Sequence, residues 1–353
     1  MFLSIIIPLY NCENYISHCL DCIFSSQLSF KEFEVIIIND GSKDNGPLIC
    51  QNYAKRYSNI KFLSQVNQGA SAARNKGLDA AQGDYIWFVD GDDNIISSFL
   101  NKAYIYLQDP KIDLLCFNHK KVGKEQKREI WDFHEKKELS GVEFLKGHFT
   151  NFIWNKIYKK KSLREQRFLN GTKNIEDMLF NMMTIIDMNH VLCISEFGYE
   201  YNCVNMLSTS RNPSLRNLVK LDQDSITVLT TLNNFAKKQI DSEKKFVLTD
   251  YLKFSIAGHL FSLFKFYSPQ RLKKRIKYYR QSELYPVKKS SNKRGNKFLL
   301  LANHETLFLA VMRLAIMIKT IVDKKMTWEE SKMMQGVAIL LMFLYYLFNI
   351  LQL

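Results

Sequence analysis

Three carboxylates and one glycine stand together in Asp90-Gly91-Asp92-Asp93, directly behind the apolar run Tyr85 to Val89. Like charges this close repel, so the cluster implies a cation or a positively charged partner. On an extended backbone Asp90 and Asp92 point one way and Asp93 the other. Two hard oxygen donors on one side suit Mg²⁺ or Mn²⁺, which keep several waters and bind a substrate diphosphate with few protein carboxylates. A simple Asp-Gly-Asp turn capping the next helix would have the same composition. A second acidic pair, Glu176-Asp177, stands just ahead of the apolar stretch Met178 to Met188. A placed carboxylate can take the proton of an attacking hydroxyl. Acids in a first helical turn are also favoured by the helix dipole, so the pair does not decide its own role.

The elements that must position these groups alternate. "LSIIIPLY" predicts a strand, "NYISHCLDCIFS" a helix, "FEVIIIND" a strand, "PLICQNYAKRY" a helix with Pro47 near its first turn, and "IKFLSQ" a strand. A small-residue helix over "GASAARNKGLDAAQ" leads into the strand Tyr85 to Val89. Such alternation predicts an α/β fold with a mostly parallel sheet, helices on both faces and ligands at the carboxyl ends of the strands. Those ends carry Pro8 and Tyr10, then Asp40, then Gln68-Gly69, then the Asp90 cluster. None holds a G-x-G-x-x-G or G-x-x-x-x-G-K-S/T pattern, which removes the main warrant for a dinucleotide or P-loop enzyme. From about Lys111 further strands close the sheet, with antiparallel pairing expected and a strand pair in "HVLCISEFGYEYNCV". Beyond Ser210 the pattern is mainly helical.

The ordered set "IIIPLYN", "INDGS", "NQGASAARNKG" and the aromatic strand ending in Asp-Gly-Asp-Asp resembles glycosyltransferase family 2, with its GT-A nucleotide-diphospho-sugar transferase fold. The resemblance covers roughly residues 1 to 210. It implies that Pro8 and Tyr10 line a base pocket, that Asp40 accepts a hydrogen bond from base or ribose, and that Arg74 and Asn75 hold the nucleotide end. It implies further that Asp90 binds the ribose or sugar, that Asp92 binds the metal, Mn²⁺ or Mg²⁺, and that Asp177 is the base with Glu176 in support. "IWNKIYKKKSL" also resembles a family segment, in which Trp154 would offer a flat face to the acceptor sugar, with Asn155 and Lys156 at the mouth of the site; the same residues read equally as an amphipathic packing element with a solvated lysine run at Lys159 to Lys161. Relatives commonly carry an arginine about where Asn202 stands, and that departure bears on how the diphosphate is held.

Composition sets the remaining bounds. The 353 residues carry a net charge of +14, which points to an anionic partner. Residues 271 to 297 hold eleven Lys or Arg against one Glu, and the chain ends in the apolar Gly336 to Leu353. As a helix that tail would reach about 27 Å, just short of a hydrocarbon core of about 30 Å. Each basic residue near an anionic leaflet contributes about 1 kcal/mol, so a membrane surface explains the charge without nucleic acid, for which no recognition module is present. The N-terminal apolar run is stopped by Pro8 and does not read as a signal peptide. Seven cysteines, among them the pair Cys19 and Cys22, read as free thiols packed in a reducing compartment.

The expectation is therefore a catalytic domain over 1–215 and a helical, basic region with a membrane-associating tail over 216–353. The activity expected is inverting transfer of a hexose or hexosamine, from a nucleotide sugar such as a UDP-sugar, to a glycan or lipid-linked acceptor in surface-polysaccharide assembly. The place expected is the cytoplasmic face of the inner membrane, peripherally bound or tail-anchored. A nucleotidyltransferase would share the crevice and the metal but needs a basic glycine-rich loop where Pro8-Leu9-Tyr10 stands. A non-catalytic nucleotide-sugar binding protein would need neither Asp92 nor Asp177.

Overall fold

The computed structural model describes residues 1–123, 126–147, 150–205, 214–263, 268–291, 299 and 303–313. The chain divides into two compact units, Met1–Pro213 and Ser214–Leu353. The apolar tail and residues 292–297 of the basic stretch lie outside the described residues.

In the first unit the expected alternation is present. Strands β1 (Leu3–Leu9), β2 (Phe33–Asn39), β3 (Ile60–Ser64) and β4 (Tyr85–Phe88) alternate with helices α1 (Ile16–Phe24), α2 (Gly46–Arg56) and α3 (Ala70–Ala80). β1 pairs in parallel with both β2 and β4, and β2 with β3, so all four carboxyl ends open on one edge. The runs Ile5-Ile6-Ile7 and Val35-Ile36-Ile37-Ile38 are buried on both faces, which is why they read as continuous apolar segments and not as alternation. Cys19 packs in this core on α1, and all seven cysteines are free thiols.

Past β4 the topology changes. A short β5 (Asn94–Ile95) and α4 (Ser97–Tyr106) precede β6 (Leu114–Val122), β7 (Lys127–Ile130), β8 (Lys137–Leu139) and α5 (Gly141–Gly147). β9 (Lys156–Lys159), α6 (Lys160–Leu163), α7 (Glu176–Ile185) and β10 (Val191–Asn202) complete the unit. The sheet order is β3-β2-β1-β4-β9-β6-β10-β5, with β7 on β6 and β8 on β10. β9 is antiparallel to both β4 and β6, as expected for the closing strands, but β10 runs parallel to β6. The predicted strand pair after His190 is one twelve-residue strand whose register with β6 slips between Cys193 and Phe197 and again between Phe197 and Tyr199. Those irregularities break the period-two pattern and give the sequence the look of two short strands.

One glycine sets the distance between α3 and the sheet. A Cβ on Gly77 would sit 2.3 Å from Cγ2 of Ile6 in β1, so only glycine lets this helix approach so closely.

The described part of the second unit contains α8 (Leu215–Lys237), α9 (Ser242–Ser262) and α10 (Pro269–Gln281), each capped by the side chain of the residue before it, Ser214, Asp241 and Ser268. Asp222 on α8, 1 % exposed, ties the three helices together. Its carboxylate accepts from Arg271 Nη1 (2.7 Å) and from Nε and Nη2 of Arg275 (2.8 and 2.7 Å), and it lies 3.1 Å from His259 Nε2 on α9. Burial alone would raise this carboxyl; the hydrogen bonds from His259, Arg275 and Arg271 outweigh it and hold Asp222 well below the usual carboxylate range. Among the described residues no helix is long and apolar enough to cross a membrane.

Two outcomes follow for stability. Gly77→Ala should lose about 1–3 kcal/mol in urea unfolding, because overpacking against Ile6 exceeds the gain in helix propensity of about 1 kcal/mol. Asp222→Ala should lose about 3–5 kcal/mol, since it strands two half-buried arginines beside buried His259. Far-UV circular dichroism under urea checks both, and a stability within 0.5 kcal/mol of the parent in either variant contradicts the corresponding account.

Candidate active site

The carboxyl ends of β1, β2 and β4 gather most of the residues singled out in the sequence. Pro8 and Tyr10 lie at the end of β1, Pro8 half-buried and Tyr10 49 % exposed, so the ring is open to a ligand. Asn11 follows with φ of 52° and bridges to the loop after β2: its amide donates to Ser42 Oγ and its Oδ1 accepts from the Lys43 amide. Glu13 reinforces the bridge, donating its amide to Asp44 Oδ2 and accepting from the Asn45 amide. These loop-to-loop bonds are not legible from one segment, since each partner lies about thirty residues away.

Asp40, expected to meet a base or ribose, is 2 % exposed and turned inward. Its Oδ1 accepts from Gln65 Nε2 (2.9 Å) and the Gln68 amide (2.8 Å), and Oδ2 from the Gly69 amide (2.8 Å). The carboxylate therefore shapes the loop that launches α3, where Gly69 sits at φ of 90°.

Arg74 is the centre of the site. At 5 % exposure its Nη2 donates to Asp90 Oδ1 (2.9 Å), while Nη1 donates to Asp177 Oδ1 (3.1 Å) and Glu176 Oε1 (3.2 Å). Burial works against the charge on Arg74; the carboxylates of Asp177, Asp90 and Glu176 outweigh burial and hold it protonated more firmly than a free arginine. The guanidinium also lies 5.4 Å from the centre of the Phe168 ring. Arg74 thus spends its donors on the acids of both motifs, where the sequence suggested a nucleotide. Asn75 anchors the chain: its Nδ2 donates to the Phe168 carbonyl (2.9 Å) and its Oδ1 accepts from the Phe168 amide (2.8 Å).

The Asp90 cluster forms a turn, with the Asp93 amide donating to the Asp90 carbonyl, instead of the extended segment assumed above. Asp93 is still separated from the other two. It is buried, accepting from the Tyr199 hydroxyl (2.9 Å) and the Asn202 amide (2.7 Å), and burial beside Asp92 and Asp90 raises its carboxyl well above the usual range. Asp90 keeps 28 % side-chain exposure and Asp92 is half-buried, its Oδ2 accepting from Asn205 Nδ2 (2.7 Å). Asn202, standing where relatives commonly have arginine, latches this turn through its amide and through Nδ2 to the Asp92 carbonyl (3.0 Å). Tyr199 and Asn205, which join Asn202 in holding this turn, are residues that sequence reading did not name. Only their place at the end of a strand pointed to them.

Glu176 and Asp177 open α7, behind Ile175 at φ of 55°. A β-branched residue in this left-handed region costs about 1–3 kcal/mol, and the strain turns the acids towards Arg74. Burial raises the Asp177 carboxyl to about 8; Arg74 opposes the rise, and Glu176 and Asp90 add to it.

The acceptor-side expectation for Trp154 does not hold. Trp154 is 3 % exposed, stacked on Phe152, Tyr199 and Tyr201 at ring distances of 4.5, 4.6 and 5.6 Å, and has no free face for a sugar. Asn155 and Lys156, placed at the site mouth by the sequence, are fully buried; Lys156 donates to Thr150 and Asn155, and burial lowers it to about 8. Lys159 to Lys161 fall at the opposite edge of the sheet, because β9 runs antiparallel to β4 and pairs Lys159 with Tyr85. The direction of β9 is a tertiary fact that the motif does not carry.

Among the described residues no three carboxylate, histidine or cysteine side chains converge as a metal cage. Asp92, with Asp90 beside it, fits a hard cation that takes its other ligands from phosphate and water.

Comparison with known proteins bears on the family and the fold. The sequence profile described as Glycosyl transferase family 2 matches residues 4–175. The uncharacterized glycosyltransferase EpsJ of Bacillus subtilis is 31% identical over 208 residues, covering 56% of this chain and 60% of EpsJ. The cholesterol galactosyltransferase of Borreliella burgdorferi is 29% identical over 265 residues, covering 70% of this chain and 73% of its own length. The chain thus spans less than two thirds of EpsJ. The crystal structure of S. aureus TarS 1-349 in complex with UDP-GlcNAc superposes with a TM-score of 0.67 at 21% identity, covering 89% of this chain and 90% of that one, which establishes the GT-A fold.

A carboxyl raised in the folded state favours folding at low pH and progressively less as pH climbs from its unfolded value near 4 to its folded value of about 8. Asn cannot ionise, so the melting temperature of Asp177→Asn relative to the parent should climb between pH 5 and pH 8.5. A difference that stays flat or falls over that interval would show that Asp177 is not raised.

Proposed function

We propose, for a chain whose residues 4–175 match the family 2 glycosyl transferase profile, inverting transfer of a hexose or hexosamine from a UDP-sugar to a glycan or lipid-linked acceptor in surface-glycan assembly. The observation that carries the reading is the junction at Arg74. One buried cation joins Asp90, at the end of a nucleotide-type strand, to Asp177, at the start of α7. Donor and acceptor carboxylates therefore meet in one place.

In this reading Tyr10 supplies an exposed aromatic face for the base and Pro8 the floor beside it. Asp90, an acceptor only, receives a ribose or sugar hydroxyl. Asp40 acts one step back, by holding the loop ahead of α3. Asp177 takes the proton of the acceptor hydroxyl as its oxygen attacks the anomeric carbon from the face opposite the diphosphate. The bond to the diphosphate breaks with inversion, the electron pair leaves with UDP, and the proton stays on Asp177. A carboxyl at about 8 is matched to that task near neutral pH. Glu176, sharing Nη1 of Arg74, keeps Asp177 oriented. Asp92 would hold Mn²⁺ or Mg²⁺, which offsets the charge on the leaving diphosphate. The name of the Borreliella relative supports an acceptor of lipid type. With the basic composition it also supports work at the cytoplasmic membrane face. Residues 1–215 would then be the catalytic domain and 216–353 the membrane-associating region.

The test is UDP release from a panel of nucleotide sugars, with Mn²⁺, Mg²⁺ or EDTA. Metal-dependent release from one UDP-sugar, abolished in Asp92→Ala, is expected. Transfer should fall about a hundred- to ten-thousand-fold in Asp177→Asn. The acid limb of kcat/KM should lie near pH 8 and move upward in Arg74→Gln, because the variant removes the charge that favours ionised Asp177. Release indifferent to EDTA and to Asp92→Ala would refute the metal role, and full transfer by Asp177→Asn would refute the base.

A further inference from the structure

The turn between α8 and α9 exposes apolar side chains that the helices do not use. Ile240 stands before the N-cap Asp241 and is fully exposed, and Phe246, in the second turn of α9, is 54 % exposed. A residue at the Ile240 position often packs on an apolar side chain at the fourth helical position. Here that position is Lys245, so no such staple forms. Two exposed apolar side chains are ordinary on a protein surface by themselves, so what surrounds them decides what they can do.

The surroundings say by what. Lys237, Lys238, Lys244 and Lys245 flank the two apolar residues. The acids of the segment are Asp241 and Glu243, and Asp241 is committed to the backbone, accepting from the amides of Glu243 and Lys244 at 2.9 Å each. The amino end of α9, a helix of 21 residues, adds its positive dipole at the same spot. Glu283, just past α10, reaches Lys237 at 3.2 Å, so the end of α10, with exposed Arg280, lies at this same end of the helices. Two exposed apolar side chains fall far short of the roughly 800 Å² per partner of a stable protein interface. They suffice for shallow insertion between lipid headgroups when cations surround them.

We infer that the α8–α9 turn, through Ile240 and Phe246 framed by Lys237, Lys238, Lys244 and Lys245, is a docking surface for an anionic lipid bilayer. The inference takes from the proposed function only the membrane as place of work.

The experiment is co-sedimentation of the full chain with vesicles of phosphatidylcholine alone or mixed with phosphatidylglycerol. The parent should bind the mixed vesicles and not the neutral ones. The double variant Ile240→Asp/Phe246→Asp should bind about tenfold more weakly. Replacing the four lysines by glutamine should weaken binding about tenfold or more. Melting temperature and UDP-sugar hydrolysis serve as controls and should match the parent, since none of these residues belongs to the candidate active site. Parent-like vesicle binding by the double variant, no binding by the parent, or equal binding to neutral vesicles overturns the inference. So does a dimer in sedimentation velocity that the double variant dissociates without any vesicle binding. If no variant hydrolyses a UDP-sugar yet vesicle binding still follows Ile240, the proposed activity fails and the docking surface stands.

Discussion

Everything in the catalytic unit leans on one buried cation. Arg74 faces three carboxylates drawn from two distant segments, Asp90 at 2.9 Å, Asp177 at 3.1 Å and Glu176 at 3.2 Å. Desolvating such a group is costly unless its partners are held in good geometry. The fold supplies that geometry by pressing α3 onto β1 at Gly77 and by pinning the Phe168 segment to Asn75. The arrangement remains one positive charge against three negative ones. That excess, through Glu176 and Asp90, adds to the burial that raises the Asp177 carboxyl.

The acids along the strand ends divide into two classes by where their oxygens go. Asp40 and Asp93 are buried, and they fix loops: Asp40 organises residues 65 to 69, and Asp93 ties the turn after β4 to Tyr199 and Asn202 on β10. Asp90 and Asp92 keep part of their surface towards solvent. A buried carboxylate that accepts from backbone amides shapes a loop, whereas a half-exposed one beside it can exchange partners during a reaction. The inward pair thereby pre-organises the outward pair.

The helical unit repeats the device in another setting. Asp222 gathers Arg271, Arg275 and His259 from two other helices, and His259 passes the contact on to the Tyr279 hydroxyl at 2.5 Å. Around this polar hub Leu272, Ile276 and Tyr279 are buried, while Lys273, Lys274 and Lys277 of α10 face water. The inward face holds the helices, and the outward face carries part of the basic stretch that begins at residue 271.

The order of strands and helices through Phe88, the parallel character of the first sheet half, and the identity of the two acidic motifs were determined by the sequence alone. Apolar periodicity and turn residues are local properties that act over a few positions, and the chain carries them openly. Tertiary structure alone decided the rest. Arg74 has no acid three or four residues from it on its helix, and Asp79, five residues on, pairs with Arg167; its nearest partner in sequence is Asp90, and Asp177 lies 103 residues away. Trp154, which the sequence left open between a sugar platform and a packing residue, is core, because β9 enters antiparallel between β4 and β6. β10, read as two strands, is one, since its bulges hide its continuity. Strand direction, register and the pairing of buried charges depend on contacts between distant segments, and a buried charge selects whichever partner the packing brings within about 3 Å.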